Sequence, residues 1–331
     1  MKHRFPYEWN LKDANFTKDK GTVFSCFACG GGSTMGYKLA GFDVLGCNEI
    51  DPKMIEAYKA NHNPKYAYLE PIQTFKLRKD LPKELYNLDI LDGSPPCSSF
   101  SMAGNREKDW GKEKKFREGQ AEQVLDNLFF DFIDLAKELQ PKIVVAENVK
   151  GLLMGDAKEY VRKIYREFDL AGYYCQHWLL NASKMGVPQR RERVFFVCLR
   201  KDIATPFLKQ MDLFTIAPEL KLEFKEKTIK ASEILIKGPK ISDKTSYLED
   251  RFGDVLIDKD KVFNTLVTRN RYFYDLENYI ADESYILAGS FPKDYDFIKN
   301  QVLYLTGMSV PPVMIANIAN EIYNQWLVNI K

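Results

Sequence analysis

Thr22-Val23-Phe24-Ser25-Cys26-Phe27-Ala28-Cys29-Gly30-Gly31-Gly32-Ser33-Thr34 is the stretch on which the reading of this chain turns. Residues 22–28 form a short apolar run that ends in glycines, the pattern of a buried strand followed by a tight turn. Residues 33–40 continue as a helix. Residues 42–47 read as a second strand, which stops at Asn48-Glu49-Ile50-Asp51, and Pro52 suits the first turn of the next helix. Glycines after a strand let the backbone approach a ligand closely. An acidic residue about 20 positions further on, at the end of the second strand, can reach ribose hydroxyls, and Glu49 and Asp51 stand there. The turn therefore favours a nucleotide-containing cofactor without fixing which one. A strand-helix turn with no ligand is the plain alternative.

The same rhythm extends outward. Residues 66–69 and 88–91 read as strands, the second ending at Asp92-Gly93-Ser94-Pro95-Pro96-Cys97. Over 120–139 the apolar positions Val124, Leu125, Leu128, Phe132, Leu135 and Leu139 recur at helical spacing. A strand over 143–146 runs into Glu147-Asn148-Val149. A helix over 160–168 and strands over 174–180 and 194–199 follow. Strand-helix alternation predicts an α/β protein with a mostly parallel sheet covered on both faces. In such sheets ligands bind at the carboxyl ends of strands. After about Lys201 the alternation stops, and 201–275 reads as a smaller separate domain. Residues 1–200 and 276–331 form the main domain, closed by a helix over 313–326.

Composition narrows the classes. With 45% hydrophobic and 28% charged residues in 331, the chain can build a core, which excludes disorder as its main state. No run approaches the roughly 20 apolar residues of a spanning helix, so no membrane role is expected. The first twenty residues lack the apolar core of a signal peptide. Six cysteines without dense spacing read as reduced thiols, and the expected location is cytoplasmic. Three scattered histidines argue against a histidine-built metal site. Lys and Arg number 48 and Asp and Glu 46, a net charge of +2, so overall charge neither supports nor excludes a nucleic-acid partner.

Several residues carry two readings. Cys97, held behind two prolines at a strand end, is a nucleophile or a small residue in a rigid turn. Glu147 at the next strand end is a general acid or a salt-bridge carboxylate. In Gln189-Arg190-Arg191-Glu192-Arg193, extended alternation puts Gln189, Arg191 and Arg193 on one face, suited to a phosphate or a base carbonyl oxygen; a solvated charge run is the alternative. The stretch 104–117 carries six basic and three acidic residues, with Trp110 and Phe116 interleaved, and is a lid over an anionic polymer or a surface loop. Cys26 and Cys29 make a CxxC, but strand alternation turns Cys26 away from the turn and no second pair exists, which argues against metal or redox use.

The order FACGGGSTMG, NEID, PPCS, ENV, QRRER, continuing with ADESYILAGSFPKDY and GMSVPP, resembles the DNA cytosine-5 methyltransferase family of bacterial or phage type. The resemblance implies an S-adenosylmethionine-dependent, Rossmann-like methyltransferase sheet with a smaller target-recognition domain, here 201–275. It implies S-adenosylmethionine as cofactor, S-adenosylhomocysteine as product, and no metal. The activity implied is methylation of cytosine carbon 5 in a specific double-stranded DNA sequence, on a flipped-out base. Cys97 would add to carbon 6, Glu147 would protonate ring nitrogen 3, and Arg191 with Arg193 would hold the carbonyl oxygen. The implied cofactor residues are Phe27, Ala28, Cys29, Gly30, Gly32, Glu49, Ile50, Ile72, Ser94, Pro96, Leu128, Ser309 and Val310. Double-stranded DNA is the expected partner and a monomer the expected state; pairing with a restriction endonuclease acting on the same site, a phage role and action alone stand as alternatives.

A tRNA cytosine-5 methyltransferase uses the same chemistry and is the competing reading; the large insert favours duplex DNA. The chain departs from the family pattern in five places: Cys29 stands for a glycine, Pro71 for the acidic residue that contacts the adenine amine, Ser98 for a glutamine, Met308 for an asparagine, and Glu283 for an Arg-Glu pair.

Overall fold

The computed structural model describes residues 3–96, 127–155, 157–211, 216–241 and 253–330. Seven strands form the main sheet: β1 (Thr22–Cys26), β2 (Asp43–Glu49), β3 (Tyr66–Leu69), β4 (Ile90–Gly93), β5 (Ile143–Val149), β6 (Tyr173–Asn181) and β7 (Glu192–Arg200). Their order is β3-β2-β1-β4-β5-β7-β6. The first five are parallel, as the alternation predicts. β7 enters between β5 and β6 and runs antiparallel to both. The linker 182–191 carries no crossover helix, and a strand joined by so short a connection must pair antiparallel.

Helices cover both faces. On one side lie α3 (Ile72–Phe75), α4 (Leu128–Leu139) and α5 (Ala157–Leu170). Leu128, Phe132, Leu135 and Leu139 of α4 point into the core at the predicted spacing; residues 120–126 of the predicted helix lie outside the described residues. In α5 the buried Ala157, Tyr160, Ile164 and Phe168 recur every three or four positions in an otherwise charged helix. On the other side α1 (Gly32–Ala40) packs against α8 (Pro312–Gln325). A Cβ on Gly36 would meet the Pro312 carbonyl oxygen and come 2.6 Å from Ile315 Cβ, so glycine permits this close approach. At the edge, α2 (Pro52–His62) begins where Asp51 caps it, accepting the Lys53 N–H at 2.8 Å. The apolar segment 302–329 is broken between α7 (Val302–Met308) and α8 and is 78% buried in its most apolar window, a core element.

After β7 come a hairpin, β8 (Leu208–Gln210) and β9 (Ile216–Pro218), and a four-stranded sheet of β10 (Lys237–Lys240), β11 (Asp254–Leu256), β12 (Arg271–Phe273) and β13 (Asn278–Ile280) in the order β10-β13-β12-β11. Ala204, Leu220 and Leu222 share a cluster with α8, and Trp326 Nε1 donates to the Glu219 carbonyl at 2.8 Å. Residues 204–208 and 220–224 thus pack with the large body. The small body has its own core, with Ile229, Phe263, Leu266, Tyr272, Ile280 and Tyr285, and takes in β13 and α6 (Asp282–Ala288) beyond residue 275.

A buried polar chain runs under the end of the sheet. Asp92, 2% exposed, accepts from Tyr37 OH and Ser25 Oγ, each at 3.1 Å. Thr34 Oγ1 donates to Ser25 Oγ at 3.3 Å and meets Tyr58 OH at 2.9 Å. Burial pushes the Asp92 carboxyl up to about 7, although the two hydroxyl bonds oppose it. The native state therefore holds this proton more tightly than the unfolded chain does. The stability it contributes is full below the unfolded value near 3.8 and is lost as pH rises through about 7. Asp92→Asn should consequently show a smaller decline in denaturant midpoint between pH 4 and 7 than the parent. Superimposable pH profiles would place the proton elsewhere.

Candidate functional site

Beneath the carboxyl ends of β1, β2, β4 and β5 lies a cavity of about 890 Å³. One end is built by the glycine turn. Phe27 and Cys29 both hold left-handed backbone, at φ 52° and 50°, a conformation costly for residues with a Cβ. The Cys29 N–H donates to Glu49 Oε2 at 2.7 Å, which fastens the turn to the end of β2. Glu49 Oε1 accepts from the Ile50 and Asp51 N–H groups at 2.8 and 2.9 Å. Burial raises the Glu49 carboxyl and the three backbone bonds hold it down. Cys29 Sγ rests 3.6 Å from Ser309 Oγ and from Met54 Sδ, and burial, reinforced by Glu49, pushes its thiol up to about 12.

The opposite end is ionic. Arg193 Nε donates to Glu147 Oε1 at 2.9 Å, both side chains being largely buried. Residue pairing places them there: Val149 faces Arg193 and Glu147 faces Phe195 across the antiparallel β5/β7 ladder. Burial lowers the guanidinium pKa of Arg193, while Glu147 opposes the shift. Arg191 is 2% exposed. Its Nη2 donates to the Gly307 carbonyl at 3.0 Å, while Nε and Nη1 have no hydrogen-bond partner among the described residues. Burial, then repulsion from Arg193, pushes its pKa down to about 9, so it still carries charge at neutral pH. Two buried cations beside one carboxylate leave this end with a surplus of N–H donors that the described residues do not satisfy. Between the two ends, Asn148 Nδ2 donates to the Pro95 carbonyl at 3.2 Å, tying β5 to the Ser94-Pro95-Pro96 segment.

Of the residues singled out from the sequence, Phe27, Cys29, Glu49, Ile50, Ile72, Ser94, Pro96, Leu128, Glu147, Arg191 and Arg193 line this one cavity. Ala28, Gly30, Gly32, Ser309 and Val310 do not reach its wall and stand behind it. A Cβ on Gly30 would lie 2.7 Å from the Leu305 side chain, and one on Gly32 would strike the Val310 carbonyl oxygen. Their part is to let the turn and the segment before α8 close on each other. Cys97 and the basic stretch 104–117 lie outside the described residues; Pro96, covalently next to Cys97, is in the wall.

Gln189 does not join the two arginines. Fully buried, it donates from Nε2 to the Ala288 carbonyl at 3.0 Å and accepts the Leu266 N–H at 3.1 Å, so it staples the large body to the small one. Sequence reasoning missed the stretch Thr265-Leu266-Val267-Thr268, which lines the cavity from the small body. Thr265 Oγ1 donates to the Arg190 carbonyl. No periodicity marks this stretch, and only its pairing with 189–190 brings it to the site. The position of Pro71 is likewise in the wall, beside Glu70, whose carboxylate is engaged by Arg78 Nη1 at 2.9 Å.

The donor set suits a nucleoside-bearing cofactor. A buried carboxylate with further lone pairs sits among the apolar Phe27, Ile50, Ile72 and Leu128. Among the described residues no cluster of three metal-ligating side chains occurs.

The family model for C-5 cytosine-specific DNA methylase matches residues 21–285. The chain is similar to the type II methyltransferase M.FnuDI of Fusobacterium nucleatum, 38% identical over 55% of this chain and 47% of that protein. It is similar to the type II methyltransferase M1.HphI of Haemophilus parahaemolyticus, 27% identical over 91% of this chain and 86% of that one. Against M.FnuDI and M.NgoPII of Neisseria gonorrhoeae the chain spans about half of their length, 47% and 50%. Among solved structures, the S. pombe Dnmt2 methyltransferase superposes with a TM-score of 0.62 at 16% identity, covering 92% of this chain and 99% of that one, a likeness of fold.

Proposed function

This chain belongs to the C-5 cytosine-specific DNA methylase family, and from that premise we propose that it transfers a methyl group from S-adenosylmethionine to carbon 5 of a flipped-out cytosine in a specific double-stranded DNA sequence. The observation that carries this reading is the ionic end of the cavity. There the Glu147–Arg193 pair, 2.9 Å apart, and the buried Arg191 line the same cavity as the Pro95-Pro96 segment that leads into Cys97. Carbon 5 of cytosine is a poor nucleophile. The Cys97 sulfur, adding to carbon 6, makes carbon 5 enamine-like. Electron density then moves to ring nitrogen 3, where Glu147 delivers a proton, and to the carbonyl oxygen, which the Arg191 and Arg193 guanidiniums receive. S-adenosylmethionine, when bound, supplies the electrophilic methyl. Loss of the carbon 5 proton to a base, return of the nitrogen 3 proton to Glu147 and departure of the Cys97 sulfur restore the aromatic ring. Phe27, Ile50, Ile72 and Leu128 would enclose the adenine, and Glu49 would accept from the ribose hydroxyls.

The small body, with its own sheet and core, is the natural reader of DNA sequence, and the basic stretch 104–117 the natural contact to phosphates. We place the work of this protein in the cytoplasm, as a monomer, alongside a restriction endonuclease directed at the same site. The test is direct. Duplex DNA incubated with the protein and S-adenosylmethionine should yield bisulfite-resistant cytosines within one short sequence. Methylation confined to a tRNA control would overturn the choice of substrate.

Glu49 gives a separate handle on the cofactor. Glu49→Gln replaces one acceptor oxygen with a donor that faces backbone N–H groups. S-adenosylhomocysteine affinity should fall about tenfold or more, the equivalent of roughly 1.5–3 kcal/mol for charge-assisted bonds. Calorimetry returning the parent affinity would remove Glu49 from the cofactor site.

A further inference from the structure

We propose that Cys175 and Cys198 form an oxidisable dithiol that hydrogen peroxide closes into a disulfide across β6 and β7. The two residues are directly opposite in the antiparallel ladder. Their relation to its hydrogen bonds follows from the register. At one end the Lys201 N–H donates to its opposite number Gly172, at 2.8 Å; at the other the Ala182 N–H donates to its opposite number Arg191, at 2.9 Å. Hydrogen-bonded and non-hydrogen-bonded pairs alternate along such a ladder. Even-numbered β6 residues therefore sit in hydrogen-bonded pairs, and Cys175 with Cys198 is a non-hydrogen-bonded pair. There Cα atoms stand about 4.5 Å apart and the side chains lean together on one face, inside the Cα range of roughly 4.4–6.8 Å that a disulfide spans.

The surroundings favour this pair over the other described cysteines. Cys198 is fully buried and Cys175 packs on the same cluster while partly open to solvent. Burial pushes the Cys198 thiol up, so it is poorly reactive until a partner sulfur is oxidised beside it. Cys26 and Cys47 lie on neighbouring strands one position out of register, Cys26 opposite Asn48 and Cys47 opposite Ser25, which directs them to opposite faces of the sheet.

The chemistry balances in two steps. The Cys175 thiolate attacks one peroxide oxygen; the O–O bond breaks, water leaves after one proton is taken up, and a sulfenic acid remains. The Cys198 sulfur attacks that sulfur; the S–O bond breaks, and a second water leaves with the Cys198 proton. Two thiols and one peroxide become one disulfide and two waters.

The full chain is treated with hydrogen peroxide, remaining thiols are blocked with N-ethylmaleimide under denaturing conditions, and the digest is mapped by mass spectrometry without reduction. The expected product is one cross-linked species joining the peptides of Cys175 and Cys198, reversed by dithiothreitol and absent in Cys175→Ser. The oxidised parent should melt on the order of 5 °C higher, while oxidant leaves the melting point of Cys175→Ser unchanged. Recovery of both cysteines as maleimide adducts, or of Cys175 as a sulfinic acid with Cys198 free, would overturn the proposal. If Cys175→Ser fails to fold, Cys198→Ala serves instead, and it must leave Cys175 unlinked.

Discussion

Cys97→Ser should lower methyl transfer to duplex DNA by about three orders of magnitude or more while S-adenosylhomocysteine binds as it does to the parent. The reason lies in the target atom: without a sulfur added at carbon 6, carbon 5 has no electron pair to offer, and a serine hydroxyl is a far weaker nucleophile than a thiolate. A loss of that size amounts to about 4 kcal/mol of transition-state stabilisation. Calorimetry for the ligand, and radiolabelled methyl transfer for activity, separate the two effects. DNA carrying 5-fluorocytosine at the target should form a covalent adduct with the parent, because fluorine blocks the elimination that would free the enzyme. An adduct of equal yield with the serine variant would move the nucleophile to another residue.

The second large effect is expected at Glu147. Glu147→Ala leaves Arg193 buried beside Arg191 with no carboxylate between them. Breaking a buried pair from one side costs about 3–5 kcal/mol, and loss of the proposed proton donor should lower turnover by at least about 10²-fold. Structural and catalytic contributions separate in a double variant. Glu147→Ala with Arg193→Met removes the orphaned charge, so the denaturant midpoint should recover most of the way while activity stays lost. Glu147→Gln, which keeps the shape and an acceptor oxygen, should fold near the parent midpoint and remain inactive. Near-parent turnover in Glu147→Gln would limit Glu147 to holding Arg193 in place.

Much of this site could be read from residue order because its parts stand at strand ends, where local pattern and position in the sheet coincide. The apolar run into Gly30, the stop at Glu49, and the Pro95-Pro96 segment are each legible within ten residues. What escaped depends on partners far away in the chain. β7 reverses direction because its connection to β6 is too short for a crossover, and it then slots between β5 and β6, a position that the apolar run 194–199 does not encode. Gln189 looked like a third donor because alternation assigns a face without saying what occupies it. Its amide is spent on residues 77 and 99 positions away. The stretch 265–268 reaches the cavity for the same reason, and the boundary of the small body moved because Leu220 and Leu222 find their apolar neighbours on α8.

The closure of Gly32 on the Val310 carbonyl has a consequence for how the molecule is made. The glycine turn leaves the ribosome long before the segment that backs it, since 309 − 32 = 277 residues of chain separate Gly32 from Ser309. At translation rates of about 5–20 residues per second that gap lasts roughly 15–60 s. Throughout it the turn, which carries the left-handed residues Phe27 and Cys29, has strand neighbours and the Cys29–Glu49 tie but no rear support. A nascent chain should therefore bind the proposed cofactor weakly until residues 309–310 have emerged. A chain stalled before residue 309 should accordingly gain little protection from free cofactor, whereas the chain carrying residues 309–310 should gain it.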